Sequence, residues 1–135
     1  LALEEKAPKM CVRPVEPVGF DDVARSLKAG EIKANEQLSG SICDAIITPQ
    51  PGDITFPILK RLCGEGLVVP EEDCLRAMAV AFARLKVVLE PGGAIALAAA
   101  LYHGDKIQGD AVIAVATGGN VDAPMFQTAL SKYGS

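Results

Sequence analysis

Residues 112–124 read VIAVATGGNVDAP, an apolar run that passes without a break into Thr117, Gly118, Gly119 and Asn120. A hydroxyl, two residues without side chains and an amide supply a single directed hydrogen bond and a backbone that a flat ligand can approach closely. In open α/β sheets ligands lie beyond the carboxyl ends of the strands, which makes this tetrapeptide a candidate binding turn. By itself it is equally an ordinary strand-to-helix turn, because short glycine motifs are weak signals. His103 is the only histidine, so a histidine-rich metal site is excluded, and nothing near it supports a Ser-His-Asp triad. Cys11, Cys43, Cys63 and Cys74 are widely spaced without a C-x-x-C pair, the pattern of reduced thiols in a cytosolic protein.

Elements able to position such a turn alternate along the chain. KMCVRPVEP (9–17) reads as a strand ended by Pro17. DDVARSLKAG (21–30) reads as a helix capped by Asp21 or Asp22 and stopped at Gly30. ICDAIITP (42–49) is apolar but of undecided type. DITFPILKRLCGEG (53–66) fits a helix with Pro57 in its first turn if Thr55 caps it. GLVV (66–69) is a short strand. In the segment after it, 71–89, Leu75, Met78, Ala79, Phe82 and Leu85 recur at helical spacing behind Glu71, Glu72 and Asp73, acids that suit a helix N-terminus. Residues 90–104 predict another helix, 111–119 the clearest strand, and 122–133 a last helix capped by Asp122. Helices between strands imply a parallel α/β sheet, and the length of 135 residues implies a single domain, 1–135.

Lys plus Arg number 13 against 17 Asp plus Glu; the net charge of −4 has no like-charge block, which argues against nucleic acid or an anionic membrane as partner. No apolar run approaches the ~18 residues of a bilayer span. The start, LALEEKAPK, lacks a signal-peptide layout, so the expected location is cytoplasmic. Half of the residues are hydrophobic but only 4% are aromatic, so the core must be built from Ala, Val, Leu and Ile. AIALAAALY (94–102) carries no charge and predicts a helix buried all round, which suggests that other protein covers this one, as in a homo-oligomer.

Taken together and in order, VEPVGFDDVARSLKAG, SICDAI, TFPI, GLVV with acids after it, LKVVLEPGGAIALAAAL and VIAVATGGNVD resemble the C-terminal part of the serine/threonine dehydratases. These are pyridoxal-phosphate (PLP) enzymes of the second fold type, a group that includes serine racemase. The resemblance covers residues 10–130 and implies a three-layer α/β fragment of that fold, a short parallel sheet flanked by helices. It places the hydroxyl of Thr117, where the family has serine in S-G-G-N, against the pyridine nitrogen of PLP, with Gly118, Gly119 and Asn120 beside the ring. A neutral hydroxyl restrains the electron-sink character of the ring and suits β-elimination. Glu90 matches a family glutamate close to the ring, or is simply an acid at a helix start. Asp44 matches an acidic position bordering the substrate, or is a turn residue. In the family segment E-P-x-x-x-D-D a divalent cation is held by a glutamate, a backbone carbonyl and the second aspartate, here Glu16, Phe20 and Asp22. Two acids six residues apart across a Pro-Val-Gly turn repel unless Mg²⁺, Mn²⁺, Ca²⁺ or a helix N-terminus compensates them. Otherwise Asp22 caps its helix and Glu16 is solvated.

The departures set the functional expectation. The family's Schiff-base lysine, in a motif like S-F-K-x-R-G-A, and its glycine-rich phosphate loop have no match here; the lysines at 6, 9, 28, 33, 60, 86, 106 and 132 stand in other contexts. The resemblance therefore implies a piece of a dehydratase that converts L-threonine or L-serine to a 2-keto acid and ammonia, inactive alone. The alternative is a non-catalytic domain that binds a small ligand or another copy of itself.

Overall fold

The computed structural model describes residues 1–134. After a short helix α1 (Ala2–Lys6), strand β1 (Val15–Pro17) pairs in parallel with β2 (Leu67–Val69), with Val15 opposite Leu67, Glu16 opposite Val68 and Pro17 opposite Val69. The valines and leucine suit a pleated, covered surface. Proline ends β1 without breaking this ladder, because the bond that continues it runs from the Val18 N–H to the Val69 carbonyl, 3.1 Å.

Side chains alternate across β2. Leu67 and Val69 enter the core with helices α4 (Glu71–Val80) and α5 (Pro91–Tyr102), whereas Val68 faces the side lined by α2 (Asp22–Ala29) and the end of α3 (Phe56–Leu62). The result is helix, sheet, helix, in agreement with the α/β layering expected from the sequence. Helix α6 (Ala123–Tyr133) closes against α4, where Phe126 meets Phe82 edge to face with ring centroids 5.3 Å apart. The core is aliphatic and small: Met78, Val69, Cys43 and Cys74 are its largest fully buried apolar side chains, surrounded by Ala77, Ala94, Ala98 and Ala99. No helix among the described residues is long and apolar enough to cross a membrane.

Several boundaries differ from the sequence expectation. The helix expected over 71–89 ends as a π turn, Ala81–Leu85, stopped by Lys86 in the left-handed region at φ 59°. The buried stripe ends with this wider turn: Leu75, Met78 and Ala79 are buried, whereas within the turn Phe82 and Leu85 are 40% and 61% exposed, Phe82 keeping one edge on Phe126. Residues 42–49 contain only a 3₁₀ turn, Asp44–Ile46, and the helix expected over 53–66 is confined to Phe56–Leu62.

The clearest expected strand, 111–119, is not a strand. A ladder needs a neighbouring backbone, and none of the described residues supplies one; Val112, Ile113 and Val115 instead stand 52%, 74% and 62% exposed. Helix α5, expected to be buried all round, is buried from Pro91 to Ile95 and at Ala98 and Ala99, but Leu101 at its end is 45% exposed.

Candidate functional site

Two sequence motifs interlock at the N-terminus of α5. Glu90 takes the N-cap position with an extended backbone, Pro91 supplies the preset φ of the first turn, and the Glu90 N–H donates to the Gly118 carbonyl at 3.1 Å. The segment from Gly118 to Gly119 runs close to Val88–Gly93, so that backbone leaves no room for a side chain at Gly93 or Gly119. A Cβ on Gly93 would overlap the Gly118 carbonyl, one on Gly118 would overlap Glu90 Oε1, and one on Gly119 would overlap the Val88 carbonyl. Gly93 and Gly119 are thus needed for backbone approach rather than for a left-handed φ, which none of the three adopts. Thr117 and Asn120 flank this crossing and are at least partly exposed, and Glu90 is half-buried. The 3₁₀ turn that starts at Asp44 packs on the same end of α5, with Ile46 at 3.4 Å from the place a Gly92 Cβ would occupy. Asp44 itself is exposed. The Thr117–Asn120 segment, Glu90 and the 3₁₀ turn that Asp44 opens therefore gather around one helix start.

Glu16, Phe20 and Asp22 form a separate group at the carboxyl end of β1. Sequence spacing suggests Asp21 or Asp22 as the cap of α2. Asp21 does stand at the N-cap position, but its side chain makes no capping bond. Glu16 caps the helix from the neighbouring strand: Oε1 accepts from the Val23 N–H at 2.9 Å and Oε2 from the Ala24 N–H at 2.7 Å. Nor is Glu16 solvated; it is 8% exposed. Burial pushes its carboxyl up to about 7, against the pull of the two N–H donors, and repulsion from Asp22 and Asp21 adds to the rise.

Asp22 is 1% exposed; its Oδ1 accepts from Asn35 Nδ2 at 2.8 Å and its Oδ2 from Thr48 Oγ1 at 3.4 Å. Phe20 is buried beside them, with its N–H donating to the Pro17 carbonyl at 3.0 Å. Each oxygen of the Glu16 and Asp22 carboxylates is thus engaged by a protein donor.

Three partnerships are not legible in the sequence. Asn35 is buried in a polar loop, where its amide joins Asp22 to the Thr48 carbonyl (2.8 Å) and its Oδ1 accepts from Arg25. Glu71, which spacing marks as a favourable acid at a helix start, reaches across to accept from the Ile42 N–H at 2.9 Å. Asp73 pairs with His103 Nε2 at 3.0 Å and Arg76 at 2.9 Å, and the Arg76 guanidinium lies 4.1 Å from the Tyr102 ring centre. His103 thus ties the end of α5 to the start of α4.

Comparison with known proteins bears on what this arrangement serves. The family model described as pyridoxal-phosphate dependent enzyme matches residues 1–118. Serine racemase of Dictyostelium discoideum is 38% identical over 118 residues, 85% of this chain and 36% of that protein. L-threonine ammonia-lyase of Thermotoga maritima is 31% identical over 98% of this chain and 32% of that protein. Among solved structures, the threonine deaminase of T.th. superposes with a TM-score of 0.84 at 39% identity, covering 90% of this chain and 44% of that one. The chain thus spans about a third of the length of these curated relatives.

Proposed function

Because this chain belongs to the pyridoxal-phosphate dependent enzymes, we propose that it forms the ring-binding part of an amino-acid ammonia-lyase that converts L-threonine or L-serine to a 2-keto acid and ammonia. When bound, PLP supplies the electron sink that makes the α-proton of an amino acid acidic. The residues of this chain do the rest of the positioning. Thr117 offers the ring nitrogen a neutral hydroxyl, so the ring is held without being forced into its protonated form. Gly118 and Gly119 let the backbone run against the ring edge, Asn120 closes the turn, Glu90 stands beside it, and Asp44 borders the amino-acid substrate. The observation that carries this reading is the interlock of Gly118 and Gly119 with Glu90–Gly93, which gathers two motifs distant in the chain at one helix start.

The lysine that would attach the cofactor and the phosphate loop are not among the motifs of this chain, and we propose that residues 1–135 act as one domain without turnover on their own. A divalent cation at Glu16, the Phe20 carbonyl and Asp22 belongs to the same proposal; the raised carboxyl of Glu16 marks a buried charge that a cation would relieve. The chain alone, mixed with PLP and L-serine or L-threonine, is expected to form no 2-keto acid. A chimera in which it replaces the matching segment of the T.th. threonine deaminase is expected to form it, and Thr117→Ala in that chimera to lower kcat/KM about tenfold, the value of one neutral hydrogen bond. A chimera that folds and binds PLP but leaves both substrates intact, or only racemises serine, would overturn the lyase reading.

A second reading, a non-catalytic domain that pairs with itself, is favoured by a different observation: the exposed apolar run at Val112, Ile113 and Val115.

A further inference from the structure

Cys43 and Cys74 lie 31 residues apart in the chain, yet their sulfurs are 3.8 Å apart and both side chains are fully buried. Cys74 sits in the first half of α4, and Cys43 immediately precedes the Asp44–Ile46 turn. Contacts that do not involve sulfur hold them there. Ile42 N–H donates to Glu71 Oε1 on α4 at 2.9 Å, Cys43 N–H donates to Ser41 Oγ at 3.0 Å, and Ile46 packs on Gly92 of α5. The scaffold therefore imposes the approach of the two thiols, and the proposed cofactor and cation groups use neither of them.

We propose that Cys43 and Cys74 form a reversible intrachain disulfide when the protein meets a hydroperoxide, and that this bond clamps the Asp44–Ile46 turn onto α4. The inference stands on the thiol geometry and is independent of the cofactor reading. Cys43 is the sulfur that reacts first. Its neighbours Asp44 and Ala45 are exposed and belong to a turn of three residues, so a local opening uncovers it, whereas Cys74 is fixed in a helix. The hydrogen bond between the sulfurs lowers the Cys43 thiol, while the same bond and burial raise that of Cys74, which keeps its proton.

The Cys43 thiolate attacks the outer oxygen of the hydroperoxide. The O–O bond breaks, the alcohol (water, for hydrogen peroxide) leaves with the proton that Cys43 gave up, and Cys43 becomes a sulfenic acid. The Cys74 sulfur then attacks the Cys43 sulfur and the S–O bond breaks, with the Cys74 proton leaving on the departing hydroxide as water. Two thiols and one hydroperoxide give one disulfide, one alcohol and one water; the sulfurs lose two electrons and the O–O bond takes them. Closing from 3.8 Å to a bond of about 2.05 Å falls to the short turn.

The test uses the full chain in native buffer with hydrogen peroxide, followed by alkylation, digestion and mass spectrometry. Cys11→Ser/Cys63→Ser isolates the pair, and mapping of the unmodified chain covers the case in which that variant fails to fold. The expected result is a peptide linking Cys43 to Cys74, together with a thermal midpoint raised by about 10 °C. The shift should reverse with dithiothreitol and be missing in Cys43→Ala. Cys43 carried on to a sulfinic acid, linkage between chains, or thiols that react only after the protein unfolds would each overturn the proposal. In that event the pair is no more than a small apolar filler of the core.

Discussion

Gly93 and Gly118 are held against each other and against Glu90 for different reasons, and substitution separates them. A Cβ on Gly93 meets backbone, the Gly118 carbonyl, and backbone on both sides would have to part. A Cβ on Gly118 meets only the far end of the Glu90 side chain, which can swing aside. Gly104, with nothing within 4 Å of its Cβ position, is the control. In urea unfolding, Gly93→Ala is expected to cost about 1–3 kcal/mol, as overpacking does. Gly104→Ala should stay within ~0.5 kcal/mol of the parent, and Gly118→Ala should lie close to it. Gly93→Ala as stable as Gly104→Ala would mean that the interlock has been misplaced. At this scale the sequence was informative where a residue acts on its own neighbours: Asp122 was legible as a cap and does accept from the Met125 N–H at 2.7 Å. It was silent where the partner is remote, as for Asn35 and Asp22, thirteen residues apart.

Helix α2 shows how an element can be stabilised from outside itself. Its exposed N–H groups are satisfied by Glu16 on β1, and the carboxyl that does so is raised to about 7 by its burial. For an acid whose folded value lies above its unfolded one, the folded state binds the extra proton, so this group makes the protein more stable as pH falls from above 7 towards 4.5. The contribution is up to about 3 kcal/mol. With a chelator present, the unfolding free energy of the parent is expected to rise over that interval relative to Glu16→Gln, which cannot titrate; parallel profiles would show that Glu16 does not titrate there. Saturating Mg²⁺ favours the ionised form, so it should flatten the profile of the parent and raise stability above pH 7. Asp22→Ala should remove this response to Mg²⁺. Identical parent profiles with and without Mg²⁺ would retire the cation reading.

On the scale of the whole molecule the unmet requirement is cover. Leu85, Val87 and Val88 leave the end of the π turn exposed, and Val112, Ile113 and Val115 are exposed on the segment that goes on to cross Val88 at Gly119. Monomers rarely expose contiguous apolar patches beyond a few hundred Å². The chain is therefore expected to self-associate in sedimentation, with the weight-average mass rising with concentration, and Ile113→Lys/Val115→Lys is expected to shift it towards monomer. A monomer at every concentration, with no binding of a dye that detects apolar surface, would contradict this. Helix α5, which composition marked as the surface in need of cover, is not its source, because α4 and the sheet already bury most of it.

The sequence by itself determined the parts governed by local rules. The helix start at Pro91, the stop of α2 at Gly30 with φ 74° and the pairing-competent LVV of β2 follow from side chains acting within a turn or two of themselves, and the order of motifs along the chain marked the family. Tertiary structure alone decided what depends on a neighbour. Residues 111–119 have the composition of a strand, but a strand exists only where another backbone completes its hydrogen bonds, and here none of the described residues does so. The apolar stripe that spacing continued through Phe82 and Leu85 ends at the π turn, where both are exposed. Glu16 reads as an acid at the end of a strand and becomes the cap of a helix only because β1 lays it against the first turn of α2. Periodicity records which face of an element is apolar; it does not record what lies opposite, and hydrogen bonds and burial are settled by what lies opposite.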